Sequence, residues 1–551
     1  MAAYAWLYCA LALGATWYLQ RYLRQRDAYS VLRNIPGPPS YSWAKGKFCR
    51  MYFNPRGQAF HEEVALNYGS VVKLDGMFGS KLFYVADPKA LHTILIKEEN
   101  TWEEPDAFLA LNQLMFGDCL YTRQGEHHRR QRKMLNPVFS VNHMRHMLPI
   151  FYNVILKLRE VILAKVKAGE SEIDVLEWSG RAALELIGQG GLGYSFDPLL
   201  VNSESRNEYG DALKSCFPAL SKVDILRRYA HYLIKMGPRW FRRSVVDMYP
   251  NPDVQNIKEV VDTMSAKSYE IFNQKKVALK RGDEAVLRQV GEGKDIMSIL
   301  IKANTAASED ERLPESELIA QMSLLVFAAT DTTSNTLARI LQLLAEHQEI
   351  QVKLRDEILQ SSAGGNDISY EELNRLRLLD AVCRETLRLF PPVTTLRRVP
   401  RKDSVLPLSE PIYGVDGRVI NEIPVAKGTD VIIGTYGVNV RKQLWGEDSL
   451  EWKPERWLSP LPSAVTAAAI PGVYSNIAHQ ISMTFLGGKR ACIGFKFSEM
   501  EMKVVLAVML STFTFERTEK VIQWNIAGVS YPTVEGNSQP QLPLKMGLYR
   551  P

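Results

Sequence analysis

Cysteine is scarce in this chain: six in 551 residues, at positions 9, 49, 119, 216, 383 and 492, with no two close enough to form a CxxC pair. That spacing excludes a zinc ribbon, and so few cysteines in so long a chain argue against a disulfide framework. No Asn-x-Ser/Thr acceptor occurs either, which agrees with a body that never enters the secretory lumen. Neither sign of charge dominates. The 67 Lys and Arg against 61 Asp and Glu leave a net +6, too thin over this length to argue for nucleic acid. Repeats and low-complexity tracts are missing, and a composition of 46% apolar and 23% charged residues excludes disorder and collagen. What remains is an ordinary globular chain, long enough for several domains or for one large α-rich one.

Charge is also missing from the first twenty residues, Met1 to Gln20, after which Arg21, Arg24 and Arg26 follow. About 19 apolar or small residues rising ~1.5 Å each reach roughly 28 Å, close to a hydrocarbon core of ~30 Å. Tyr4, Trp6, Trp17 and Tyr18 sit near the two ends, where aromatic rings favour the interface, and positive charge after the span keeps the body cytosolic. The expectation is a single transmembrane anchor over residues 1–20. The alternative is a cleaved signal peptide: Ala10 and Ala12 are small enough for a cleavage site, but no basic region precedes the apolar run. Residues 21–40 turn basic and then Pro-rich (Ile35-Pro36-Gly37-Pro38-Pro39) and read as a stiff hinge, leaving 41–551 as the body.

Within the body, residues 70–86 alternate around Gly76 and Gly79 like a β-hairpin, and Asp87-Pro88 opens a helical pattern to about 97. Apolar spacing is mostly helical from roughly 126 to 390, for example over 147–168, 254–280, 315–345 and 348–361, with surface loops at 281–294 and 361–365. Short β-like runs follow at 412–419, 430–434 and 521–533. The fold class is mainly α with a minor β portion.

Residues 485–494 read Phe-Leu-Gly-Gly-Lys-Arg-Ala-Cys-Ile-Gly and run straight into a helical pattern. Cys492 therefore sits at a helix mouth, where backbone N–H groups and the helix dipole favour a thiolate. Gly488 and Gly494 permit close approach of the backbone to a flat ligand, and Arg490 can reach an anionic group beside it. Such a thiolate suits an axial haem ligand. A buried, inert cysteine is the bland alternative; a cysteine nucleophile is another, but no partner histidine is apparent. The stretch matches F-x-x-G-x-R-x-C-x-G at Phe485, Gly488, Arg490, Cys492 and Gly494, and so resembles the haem-binding signature of the cytochrome P450 family. The resemblance runs over nearly the whole chain.

Other stretches resemble the family's remaining signatures in order. Glu385 and Arg388 share one helix face at i, i+3, and Pro454-Glu455-Arg456-Trp457 resembles P-E-R-F; by themselves Glu385 and Arg388 fit a solvated surface pair equally well. The resemblance implies a buried network of Glu385, Arg388 and Arg456 on the thiolate side. Phe327-Ala328-Ala329-Thr330-Asp331-Thr332-Thr333 places polar groups inside an apolar helix, where they are costly unless used, although threonines bonded to the i−4 carbonyl also account for them. It resembles [AG]-G-x-[DE]-T-[TS], which makes Asp331 the acid and Thr332 the alcohol of a proton relay to dioxygen, with Ala329 departing from the usual Gly. His128 and Arg132, at i, i+4, occupy the positions of the family's W-x-x-x-R and so imply contact with the haem propionates, His128 standing where Trp is usual. Arg129, Arg130 and Lys133 around the same helix are either a solvated basic face or a receptor for an acidic electron-donor protein. Arg398 is the further propionate contact implied, with Arg397 its rival.

The family's substrate contacts fall here on Phe108, Leu114, Phe116, Phe327, Ala328, Val393, Leu396, Ile526 and Val529, which are apolar and suit a neutral ligand held by shape. The resemblance thus implies an endoplasmic reticulum enzyme carrying heme b and fed with electrons from NADPH by NADPH-cytochrome P450 reductase, NADPH itself not being bound. Its overall style resembles fungal microsomal members, which implies a terpenoid or other specialised metabolite as substrate. A reductase-independent isomerase or dehydratase, a fatty-acid or xenobiotic hydroxylase, and a relic haem site without activity are the rival readings.

Overall fold

In the computed structural model, the described residues are 16, 32–39, 54, 56–76, 80–200, 208–282, 293–362, 367–394, 396–468, 470–472, 483–526 and 528–550. The expected anchor over 1–20 lies outside them apart from a single residue, as do most of both expected surface loops. No helix among the described residues is long and apolar enough to cross a membrane.

Helices carry most of the chain, in keeping with the composition. The longest described, Glu315–Glu346, starts directly after Pro314, and Glu315 and Glu317 in its first turn complement the helix dipole. At about 48 Å it crosses much of the body, and it buries most of its length. Its neighbours include Val175–Leu186, Pro252–Arg281, Arg377–Leu389 and Phe495–Thr512. Asn251 caps Pro252–Arg281 by accepting hydrogen bonds from the Asp253 and Val254 amides at 3.0 and 3.1 Å. These helices enclose the larger of two apolar cores.

The smaller core lies against a five-stranded sheet ordered Val71–Asp75, Lys81–Val85, Asp430–Ile433, Leu396–Pro400, Trp102–Glu103. The first two strands form the expected hairpin, with Val71 opposite Val85. The helix predicted after Asp87 is present as Pro88–His92, capped by the Asp87 carboxylate on the Ala90 amide, and its last turn widens into a π-helix over Thr93–Lys97. The β run read at 412–419 is instead the turn of a hairpin, Ser404–Tyr413 against Val419–Val425: Gly414 and Gly417 break the run, and the pairing lies on either side of it. Ile522–Ile526 and Ser530–Val534 form a second late hairpin.

The described part of the Pro-rich stretch is fastened to the body. Leu32 and Ile35 are buried, the Pro36 carbonyl accepts from Lys73 N–H at 2.9 Å, and the Asn34 carbonyl accepts from Val415 N–H at 2.7 Å. Gly37 is needed there, since a Cβ would fall 2.0 Å from the Lys73 carbonyl oxygen.

Candidate functional site: a thiolate centre between two helices

The cysteine loop is shaped before its helix begins. Leu486 holds a positive φ of 54°, an uncommon conformation for a non-glycine residue, and Gly488 holds 76°. A Cβ on Gly488 would lie 1.9 Å from the Leu95 carbonyl oxygen, so no other residue fits. Gly494 differs: its φ is −87°, and the nearest protein atom to an added Cβ is a Phe139 ring carbon at 3.9 Å. The loop closes on itself where Cys492 N–H donates to the Phe485 carbonyl at 2.8 Å, and the helix Phe495–Thr512 follows within three residues.

Cys492 is accessible, unlike Cys119, Cys216 and Cys383. Yet the surrounding protein is dense enough that burial pushes its thiol pKa up, against the opposing pull of the Gly494 backbone N–H and the Arg132 charge. A thiol that is enclosed and still accessible faces an internal space. The long helix has the same property at one place: Ala328, Ala329, Asp331 and Thr332 are half-buried within an otherwise buried stretch. The two helices meet there, Thr333 Oγ1 lying 3.2 Å from Ser498 Oγ.

Around the cysteine loop stand cations and polar atoms without partners. His128 is buried and its Nε2 has no hydrogen bond. Burial and the charges of Arg490, Arg132 and Lys489 push its pKa down to about 3, so it is neutral at physiological pH. Arg132 donates from Nη1 to the Ala491 carbonyl at 2.7 Å, bracing the residue before the cysteine. Arg490 donates to the Leu120 and Arg123 carbonyls at 2.8 and 2.7 Å and pairs with Glu104 at 3.1 Å, while its Nε is buried and unpartnered. Arg398 is buried and faces the same Glu104 at 3.4 Å, whereas Arg397 is committed to Asp430 on the neighbouring strand.

The sequence reading missed Glu103 and Glu104, which hold Lys489, Arg490 and Arg398, and Tyr121, whose hydroxyl is within electrostatic reach of Cys492 and Arg490. Two adjacent carboxylates directly after Trp102 were the available signal; burial there demands cationic partners. Trp102 itself is buried with its Nε1–H unpartnered.

Asp331 lines a cavity of about 40 Å³ together with Leu176, Glu177, Lys214 and Tyr531. Burial raises its pKa to about 7, the charge of Lys214 pulling the other way. The Thr332 hydroxyl donates to the Ala328 carbonyl at 2.8 Å, as do Thr330 and Thr336 to their own i−4 carbonyls. Acid and alcohol are therefore adjacent in sequence without a hydrogen bond between them among the described residues.

The Glu385–Arg388–Arg456 network is present, with Glu385 and Arg388 fully buried and Arg456 half-buried. Arg388 forks onto Glu385 at 2.8 and 2.7 Å and donates from Nη1 to the Asn439 and Ser449 carbonyls, both at 2.7 Å. Arg456 reaches Glu385 at 3.4 Å and Asp448 at 2.9 Å, and Trp457 Nε1–H donates to Glu385 at 2.9 Å.

Of the expected pocket residues, Phe116 and Phe327 pack with ring centroids 5.0 Å apart, and Phe108 lies 6.2 Å from the Tyr121 ring. Ala328, Val393 and Leu396 are half-buried, Leu114 is exposed, Ile526 lines a cavity beside Phe390, and Val529 lines the Asp331 cavity.

A large helical body, a cysteine at a helix mouth facing an internal space, and buried unpartnered donors about it define a haem-thiolate protein; the donor set fits an iron porphyrin with anionic side groups. A family model described as Cytochrome P450 matches residues 36–534. The chain is 98% identical to "Cytochrome P450 monooxygenase 212" of Postia placenta over the full length of both. It is also 46% identical to "Ganoderic acid synthetase CYP5150L8" of Ganoderma lucidum, over 94% of each chain, and 37% identical to a cytochrome P450 monooxygenase of Hericium erinaceus over 98% of this chain and 97% of that one. The chain belongs to the cytochrome P450 family and is a cytochrome P450 monooxygenase. Haem-thiolate iron as cofactor, a redox partner and hydrophobic substrates follow from that membership.

Proposed function

We propose that this monooxygenase is a single-pass protein of the endoplasmic reticulum membrane with its body in the cytosol, that it receives electrons from NADPH through NADPH-cytochrome P450 reductase, and that it oxidises an apolar terpenoid or related specialised metabolite. Heme b, held by the Cys492 thiolate with His128, Arg132, Arg398 and Arg490 towards its propionates, supplies the oxygen chemistry when bound. Phe485 and Gly488 shape the loop that presents the sulfur. Asp331 holds a proton near neutral pH, and Thr332 offers a hydroxyl one residue further along the same half-buried turn. The observation that carries the reading is the accessible Cys492 thiol inside dense protein, one helix crossing from Asp331 and Thr332.

Arg129, Arg130 and Lys133 are exposed on a helix whose buried face reaches the cysteine loop through His128 and Arg132, which favours this face for an acidic reductase. Helix Arg239–Met248 buries none of its residues and exposes Trp240 and Met248 beside Arg239 and Arg243, a composition suited to a lipid interface. The terpenoid assignment is supported by the apolar lining and by the Ganoderma lucidum relative being named a ganoderic acid synthetase.

The test is a carbon monoxide difference spectrum of the reduced holoenzyme, then turnover with a panel of terpenoids, reductase and NADPH, with mass spectrometry for added oxygen. A thiolate-type band and a product heavier by one oxygen are expected. Cys492→Ala should lose that band and product formation, to below about 1% of wild type, while circular dichroism stays helical. Full turnover by the variant would sink the thiolate assignment.

A further inference from the structure

Arg339 lies two turns beyond Asp331 on the long helix. It makes no hydrogen bond and no ion pair among the described residues, and its Nε is buried and unpartnered. Burial pulls its pKa down to about 9, which leaves it charged at neutral pH. The Glu346 carboxylate is within electrostatic reach but does not outweigh that burial, and a charge with so little compensation is costly. Part of that cost is offset by two rings: the guanidinium carbon lies 3.6 Å from the Trp524 ring centroid and 4.3 Å from that of Phe390. Rings cover the faces of a guanidinium, but its N–H donors point outwards in its plane, and stacking leaves them unused.

Arg339 borders a cavity of about 40 Å³ lined also by Glu62, Asn335, Phe390, Trp524 and Ile526, among others, and the Glu62 carboxylate there already accepts from Gln58 Nε2 at 3.0 Å. Asn335 stands one turn before Arg339 on the same face, donates to the Asp331 carbonyl at 2.7 Å, and leaves its own Oδ1 buried without a partner. A space this small holds a carboxylate group or a few waters, not a carbon skeleton. Trp524 is held by a 2.9 Å hydrogen bond to Gln342, one turn further along, so the stack is fixed in place.

We propose that this cavity is an anion subsite in which Arg339 takes the carboxylate of an otherwise apolar substrate, with Asn335 Oδ1 accepting from a hydroxyl or a water beside it. The in-plane fork of an arginine matches a carboxylate with two parallel hydrogen bonds. Ile526, also expected among the substrate contacts, would lie along the skeleton. This makes the substrate an apolar acid rather than a neutral molecule, and it rests on the monooxygenase pocket proposed above.

Equilibrium dialysis at pH 7.5 with the full-length holoenzyme tests the subsite independently of turnover, using abietic acid, methyl abietate and acetate as probes. The acid should bind about tenfold tighter than the ester or better, as a charge-assisted pair implies. Arg339→Gln should remove that preference and leave ester affinity within about twofold; Arg339→Lys should keep part of it. A normal carbon monoxide spectrum certifies that each variant is folded, and the acid–ester comparison in the wild type decides the matter even without a folded variant. Equal binding of acid and ester by the wild type, or a preference that survives in Arg339→Gln, would overturn the subsite. Saturable, Arg339-dependent binding of acetate at the affinity of abietic acid would overturn the substrate assignment and leave a free-anion site. Failed turnover with retained acid preference would instead strike the functional reading and leave the subsite standing.

Discussion

A carboxylic acid that keeps its proton near neutral pH has to be kept from water, and Asp331 meets that condition inside the long helix. Its folded pKa of about 7 lies above the ordinary carboxylate value, so the native state holds the proton more tightly than the unfolded chain. The resulting stabilisation is complete below the ordinary value of about 4 and is lost as pH rises through about 7. In the same window the protonated donor disappears. The fraction of consumed NADPH that appears as product should therefore fall as pH rises past 7, and Asp331→Asn should give a low, flat profile. Coupling in the variant equal to wild type at every pH would remove Asp331 from proton delivery. His128 behaves in the opposite sense: burial and three cations keep it neutral, so it offers a ring N–H without adding charge.

At the scale of elements, the helix Arg377–Leu389 is joined to the Pro454–Trp457 turn by one buried carboxylate. Glu385 accepts from Arg388, Arg456, Trp457 and the Lys453 amide, and no part of it reaches solvent. Removing one partner strands a buried charge, at a cost of about 3–5 kcal/mol. Arg388→Leu should accordingly yield little folded holoprotein, read as loss of the thiolate band and a lowered urea midpoint, whereas an exposed pair such as Arg129–Glu126 should tolerate Arg129→Ala with about 0.5 kcal/mol or less of change. The i, i+3 spacing was legible in the sequence. The carbonyls of Asn439 and Ser449 that complete the fork were not, because they arrive from more than fifty residues away.

For the whole molecule, the described residues 32–39 are fastened to the body, Asn34 to the turn of the Ser404–Val425 hairpin and Pro36 to the strand Val71–Asp75, with Ile35 buried between. If residues 1–20 are the anchor, deleting them should move the protein from the membrane pellet to the supernatant at high salt while the carbon monoxide spectrum survives. Exposed Trp240 and Met248 should leave some residual binding to anionic vesicles. Quantitative retention in the pellet would argue that the anchor lies elsewhere.

The sequence by itself determined whatever is local in the chain. Helical periodicity fixed the long helix to within a residue at its end, the glycine and cysteine spacing marked the loop at 485–494, and the hairpin at 71–85 followed from alternation. Tertiary structure alone decided which charges lost their water. Arg490 and Arg398 meet Glu104, Arg397 is taken by Asp430, and Arg339 is left between two rings; a sequence records each charge but not the partner that distant strands and hairpins bring to it. Burial and pairing are set by the approach of segments hundreds of residues apart, and local spacing carries no information about that approach.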